Sequence, residues 1–231
     1  QPASAAATTE PVPIDLEISG DVYVGCGASV SASSRGYANG KTFALEPLPG
    51  TGGGVHAGRG FGGTGAPHGS PIHPVAAGSG AEGSWVSSSP GGGAVHIAAL
   101  SGVVIDGSIL SNGFGRGAGG SVFLEAAGLA GGGRVEAQGG ARAGGGRIAL
   151  VADSISEALV VRTSARGGLT TPSDAGGAAG TVYLRDAASI FGTLIVDNAG
   201  SATNTTTELV PIGTGVVESV DAAGFTAVAA E

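Results

Sequence analysis

The chain has 231 residues, enough for one or two domains with a sizeable core; 47 of them are glycine, aromatics make up 4% and charged residues 12%. A net charge of −8 argues against a whole-surface nucleic-acid binder, and the lack of a Gly-X-Y period together with 42% hydrophobic residues argues against collagen or a disordered chain. No run of 18 apolar residues exists, so no membrane insertion is expected, and the single cysteine, Cys26, excludes an internal disulfide and a cysteine-based zinc site.

Residues 1–13 (QPASAAATTEPVP) are small, polar and proline-flanked, and read as a flexible N-terminal arm or linker. With Gln1 first and no methionine, the sequence is read as a processed product or a fragment, any signal peptide already removed. Short strand-like pairs begin at Leu16/Ile18, Val22/Val24 and Val30/Ala32. A Gly/Pro/Ser-rich stretch over about 36–93 follows, carrying His56, His68, His73 and Trp85, and reads as one long inserted loop. Cys26 is expected to be a small residue at least half-buried.

From Gly91 onward the chain repeats. One strand type starts at Ala94-Val95-His96-Ile97 and recurs at Ser121-Val122-Phe123-Leu124, Arg147-Ile148-Ala149-Leu150 and Thr181-Val182-Tyr183-Leu184. A second type starts at Ser108-Ile109 and recurs at Arg134-Val135, Val160-Val161 and Thr193-Leu194. The first apolar positions step by 14, 13, 13, 13, 13, 21 and 12 residues, so one unit is 26 or 27 residues, with an insertion within about 165–180. Glycine within a helix costs about 1 kcal/mol relative to alanine, so these runs read as strands joined by glycine corners.

Alternation along each strand places Val95, Val122, Ile148 and Val182 on one face beside Ile97, Leu124, Leu150 and Leu184. This uniform column is the expected core, and the mixed column His96, Phe123, Ala149 and Tyr183 the expected surface. Ile109, Val135, Val161 and Leu194 are expected to point inward, next to Ser111, Ala137, Thr163 and Val196. A third, smaller apolar contact runs through Val103/Ile105, Leu129, Ile155 and Ile190. Three faces per unit predict an all-β fold: a right-handed parallel β-helix (β-solenoid) of about 26 residues per coil over residues 14–200, with one long Gly-rich loop excursion. Handedness is taken from the commoner class. Residues 201–231 read as a C-terminal loop with closing strands near Val216–Val220 and Phe225–Val228.

The motifs Ser34-Arg35-Gly36-Tyr37, Gly54-Val55-His56-Ala57-Gly58-Arg59-Gly60, His68-Gly69-Ser70-Pro71, Gly78-Ser79-Gly80, Ile109-Leu110-Ser111-Asn112-Gly113 and Gly144-Gly145-Gly146-Arg147-Ile148-Ala149 appear in that order. In this order they resemble the Gly-rich repeat regions of large secreted or cell-surface proteins, mostly bacterial, that are predicted parallel β-helices. The resemblance spans roughly residues 16–200. It implies an exported surface or matrix module and supplies no catalytic residues.

Two phosphate-loop look-alikes fail on spacing or context. Gly36-x-x-x-Gly40-Lys41-Thr42 has three residues between the glycines where four are needed, and Gly60-Phe61-Gly62-Gly63-Thr64-Gly65 lacks a strand–helix setting. His56, His68 and His73 have no ligand spacing that fixes a metal geometry, so no metal and no cofactor is assigned; His56 is read as tying the loop to the strands. The sharper expectation is a row of arginines in the turns after the second strand type: Arg35, Arg116, Arg142 and Arg166, with Arg59 leaving from the same edge. Such a row suits carboxylate or sulfate groups of an acidic polysaccharide, and these arginines with His56 are the candidate ligand-binding residues. Polysaccharide cleavage needs paired acids; the candidates Asp153, Asp174, Asp186 and Asp197, with Arg162 and Arg185, do not fall at equivalent positions of neighbouring units, and no catalytic residue is assigned. The expected function is an extracellular structural or adhesive module of a surface protein, able to self-associate end to end into fibres; the alternative is a polysaccharide-binding or polysaccharide-cleaving β-helix.

Overall fold

Short strands alternating between two registers build the molecule. A computed structural model describes residues 9–83, 88–169 and 176–209, together with the backbone of two strands at 215–221 and 224–229. The strands are β1 (Ile14–Ile18), β2 (Val22–Val24), β3 (Ser29–Ser31), β4 (Ala94–Ala99), β5 (Gly102–Ile105), β6 (Ser108–Leu110), β7 (Ser121–Ala130), β8 (Arg134–Glu136), β9 (Arg147–Ile155), β10 (Thr163–Ser164), β11 (Thr181–Arg185), β12 (Thr193–Ile195), β13 (Gly215–Asp221) and β14 (Gly224–Ala229); one helical turn, α1, spans Glu157–Val160.

The larger sheet has eight strands in the order β1-β4-β7-β9-β11-β12, with β2 and β5 joined to it through β7. Its strands run parallel except β12, which turns back antiparallel on β11. A separate four-stranded parallel sheet has the order β10-β8-β6-β3. β13 and β14 pair antiparallel with each other as a third, two-stranded sheet.

The right-handed parallel β-helix expected from the repeat is therefore corrected. The sheets are open, the larger one is mixed, and the third face does not form a sheet of its own. β5 bonds to β2 and β7 inside the larger sheet, β7 and β9 run on to take in Leu129 and Ile155, and Ile190 is 85% exposed. The repeat also breaks locally. Ser156 caps α1, its side chain accepting from the Leu159 N–H, so Leu159 turns inward while Val161 is 73% exposed. Thr163, not Val161, then pairs with Val135. Because β12 reverses, Leu194 faces Tyr183 at the sheet edge and, with Val196, is exposed rather than inward.

Within the sheets the strand registers follow the hydrophobic alternation. Val95 pairs with Val122, Val122 with Ile148 and Ile148 with Val182; Ile109 pairs with Val135 in the smaller sheet. These residues, with Ile97, Leu124, Leu150, Ile105, Leu129, Leu159 and Ala137, form one buried core shared by both sheets. Each fully buried aliphatic side chain contributes about 1.5–3 kcal/mol.

The opposite face of the larger sheet is also buried at its centre, against expectation. Phe123, Ala149 and Tyr183 form a second cluster at 8% exposure or less. His96 stacks on Phe123 at 4.9 Å and His73 meets Phe123 edge-on at 4.7 Å.

The reason lies in the described part of residues 36–93, which folds back against the sheets rather than leaving them. Residues 52–58 and 77–82 are buried. Their backbone bonds to glycine-rich corners elsewhere: Gly54 N–H donates to Arg116 O (2.7 Å), Gly144 N–H to Gly54 O (3.0 Å), Ala118 N–H to Ser79 O (2.9 Å), Gly58 N–H to Gly145 O (3.1 Å) and Ala178 N–H to Arg59 O (2.9 Å). None of these residues lies in a named strand. The backbones approach so closely that a Cβ on Gly144 would stand 1.7 Å from Gly58 O, and one on Gly91 2.0 Å from Gly78 O. Absence of a side chain is what permits this packing. Trp85 lies outside the described residues, as do residues 1–8 of the expected arm; Cys26, expected at least half-buried, is exposed.

Candidate functional site

Arg116 and Arg142 follow the strands β6 and β8 by the same number of residues, so parallel stacking brings their turns together. Asparagine pins this edge: Asn112 Oδ1 accepts from the Gln138 N–H at 2.7 Å and Asn112 Nδ2 donates to Glu136 Oε2 at 2.9 Å. The Arg116 carbonyl accepts from Gly54 and the Arg142 carbonyl from Phe61 at 2.8 Å, locking residues 52–62 against both turns. Arg142 holds a left-handed backbone (φ 62°), a conformation uncommon for a residue other than glycine, asparagine or aspartate. Its guanidinium carbon lies 5.3 Å above the centre of the Phe61 ring.

The result is a cleft of about 360 Å³ lined by Thr51, Gly52, Phe61, Gly62, Arg116 and Arg142. Two half-buried guanidinium groups with an aromatic wall suit a planar or tetrahedral anion.

The other predicted site residues separate from it. Arg59 donates from Nε to Glu208 Oε1 at 2.6 Å and from Nη1 to the Gly65 carbonyl at 2.8 Å, so its charge is matched within the chain. Arg166 is exposed and donates from Nε to Ser164 Oγ at 3.1 Å. Arg35 is exposed and does not line the cleft. His56 lies in the interior, its Nδ1 donating to the Gly119 carbonyl at 2.9 Å, which ties residues 52–58 to the corner before β7.

Of the three loop histidines, His56 and His68 sit together, with ring centres 4.7 Å apart, while His73 joins Phe123 and His96. Burial holds His56 well below the usual histidine pKa, and the nearby His68 and Arg147 charges add to this; burial also lowers His68. Among the described residues, no group of three His, Cys, Asp or Glu side chains is placed to hold a metal.

A second surface feature was not anticipated. Two contiguous clefts, of about 700 and 450 Å³, cross the outer side of the larger sheet and share Glu125, Ala126 and Asp153. Glu17 lines one, and Asp186 and Arg185 line the other. His96 lies beside them with Asp15 Oδ1 at 2.8 Å from Nδ1 and Glu125 Oε2 at 3.2 Å from Nε2. Asp153, Asp186 and Arg185, judged scattered by position in the repeat, thus share one groove; Asp197 lines a different cleft and Asp174 lies outside the described residues. The register Glu17–Ala98–Glu125–Val151–Arg185, two residues beyond the aromatic column, is the signal that would have found the groove.

Comparison of the chain with protein-family models, with curated proteins and with solved structures gave no match.

Proposed function

We propose that the protein is an extracellular structural or adhesive module that grips acidic polysaccharide through carboxylate or sulfate groups in the Arg116–Arg142 cleft. The observation that carries this reading is the convergence of two guanidinium groups on one aromatic-walled cleft, in a chain whose net charge is −8. Against that acidic background a local cationic cleft selects the charged substituents of a glycan rather than its overall charge. Binding of polygalacturonate and of a sulfated galactan, with neutral dextran as control, tests it. Arg116→Gln with Arg142→Gln should weaken binding by tenfold or more, since hydrogen bonds to charged groups contribute about 1.5–3 kcal/mol. Equal binding by wild type and the double variant would sink the reading.

The carboxylate groove favours a second reading, cleavage of a polysaccharide. Glu125 and Asp153 would then act as the acid–base pair. Release of new reducing ends, abolished by Glu125→Gln, would support this reading; no release at any pH between 4 and 9 would end it. Self-association, the third element of the reading, would use β1; its support is that among the described residues β1 pairs only with β4 and carries the exposed Leu16 and Ile18. Sedimentation at increasing concentration reads it directly.

A further inference from the structure

Beneath residues 66–77, away from the arginine cleft, lies a buried cationic cluster. Arg147 opens β9 and is 0% exposed. It donates from Nε to the His68 carbonyl at 2.8 Å, and its Nη1 lies 3.4 Å from Thr181 Oγ1. No carboxylate among the described residues pairs with it, and burial lowers its pKa to about 10.

His56 and His68 complete the cluster. Each gives its outer nitrogen to a carbonyl: His56 Nδ1 to Gly119 O and His68 Nε2 to Ala77 O, both at 2.9 Å. A carbonyl only accepts, so these nitrogens carry the protons and the inner ones, His56 Nε2 and His68 Nδ1, carry lone pairs in the neutral rings. Both inner nitrogens and Arg147 Nη2 are buried without a hydrogen-bond partner among the described residues. The His56 and His68 ring centres are 4.7 Å apart, and Gly69 (φ 77°) closes over the cluster: a Cβ there would meet His56 Nε2 at 3.2 Å, Ala76 Cβ at 3.4 Å and Arg147 Nε at 3.5 Å.

An unpaired buried guanidinium is costly unless a counter-charge reaches it. We propose that Arg147, His56 and His68 form a site for one small inorganic anion of halide size, bound beneath residues 66–77 together with a proton on one of the two imidazoles. The guanidinium supplies charge and an N–H. Protonation turns an inner lone pair into a second donor aimed at the same place. Even a Cβ on Gly69 would meet these side chains at 3.2–3.5 Å, so space beneath it is tight and favours a single atom over a tetrahedral oxyanion. Residues 66–77 include exposed and half-buried positions, so the site lies one layer below the surface. The other groups packed on this pair are Phe43, stacked on His68 at 5.6 Å, and Tyr37, edge-on at 6.5 Å with its hydroxyl donating to Glu10.

Thermal unfolding of the full chain at pH 5.5 and 7.5, with sodium bromide, chloride or sulfate at matched ionic strength, tests the proposal. Bromide and chloride should raise Tm saturably, by about 5 °C at saturation, more at pH 5.5 than at 7.5, with sulfate giving no saturable rise. Arg147→Gln should abolish the halide effect. Should that variant fail to fold, His68→Phe, which keeps a ring against Phe43, should remove most of its pH dependence. A bromide anomalous signal at the cluster in a crystal would support the site. Halide-independent unfolding at both pH values, a His68→Phe variant with the wild-type halide response, or a lone water in its place would overturn it.

Discussion

Two regions of this molecule fill space in opposite ways. Between the sheets, Val95, Val122, Ile148 and Leu124 interlock as side chains at 0% exposure. Beside them, residues 52–58, 77–82, 91–93, 117–120 and 143–146 pack main chain against main chain and join by hydrogen bonds that no strand ladder contains. An aliphatic core tolerates a change of shape when its volume is kept, because side chains can re-rotate. A backbone layer has nothing that can rotate away. The glycine content is thus a packing requirement of one region.

The largest expected effect probes that layer. Gly144→Val should destabilise by more than about 3 kcal/mol, or prevent folding, since even its Cβ would overlap Gly58 O. Chemical unfolding measures it, and a mild cost would show that the layer yields and break the contrast. Next comes the aliphatic core. Leu124→Ala should cost about 2–5 kcal/mol, whereas Leu124→Met should cost less than about 1.5 kcal/mol, and a severe effect of the methionine would place both regions in one class.

The join between the regions is expected to be acid-sensitive. His56 and His68 are held neutral in the folded chain and titrate near 6.5 when unfolded, so below that value the unfolded state binds more protons. Stability should be level above pH 6.5 and fall as pH drops below it, by up to about 1.4 kcal/mol per pH unit for each ring, until the lowered folded-state values are reached. Urea midpoints in halide-free buffer from pH 8 to 4.5 read this slope, and His68→Phe should roughly halve it. A flat profile would mean that the rings are not held neutral. The smallest effect sharpens the contrast by exemption. A Cβ on Gly132 meets nothing within 4 Å, so Gly132→Ala should leave stability unchanged or raise it by up to about 1 kcal/mol, as read from the thermal midpoint.

Much of the strand arrangement was legible in the residues. The alternation Val95/Ile97, Val122/Leu124, Ile148/Leu150 and Val182/Leu184 carries its own register, because a slip by one residue would turn every aliphatic side chain outward. The pattern failed where local structure competes with it, at Val161 beside a capped helical turn and at Leu194 on a reversed strand. The candidate site was legible in part. Arg116 and Arg142 meet because their strands are paired neighbours, whereas Arg59 finds Glu208, 149 residues away, through contacts that no spacing reveals. Arg147 was missed for the same reason, since its partner segment is brought close only by folding, whereas the Glu125–Asp153 groove was open to the register two residues beyond the aromatic column.

By itself the sequence determined an all-β chain, the positions of most strands, the 26–27-residue register between neighbours and the aliphatic core, because strand pairing and alternation are local properties of residues. Tertiary structure alone decided that the sheets stay open, that β12 reverses, and that the strandless residues 52–82 pack inward over Phe123 and Arg147. The physical reason is that glycine carries no side-chain pattern to read. Which backbone it will touch is settled only when the other backbone arrives, and the cleft, the groove and the buried arginine all sit against that layer or the sheet face beside it.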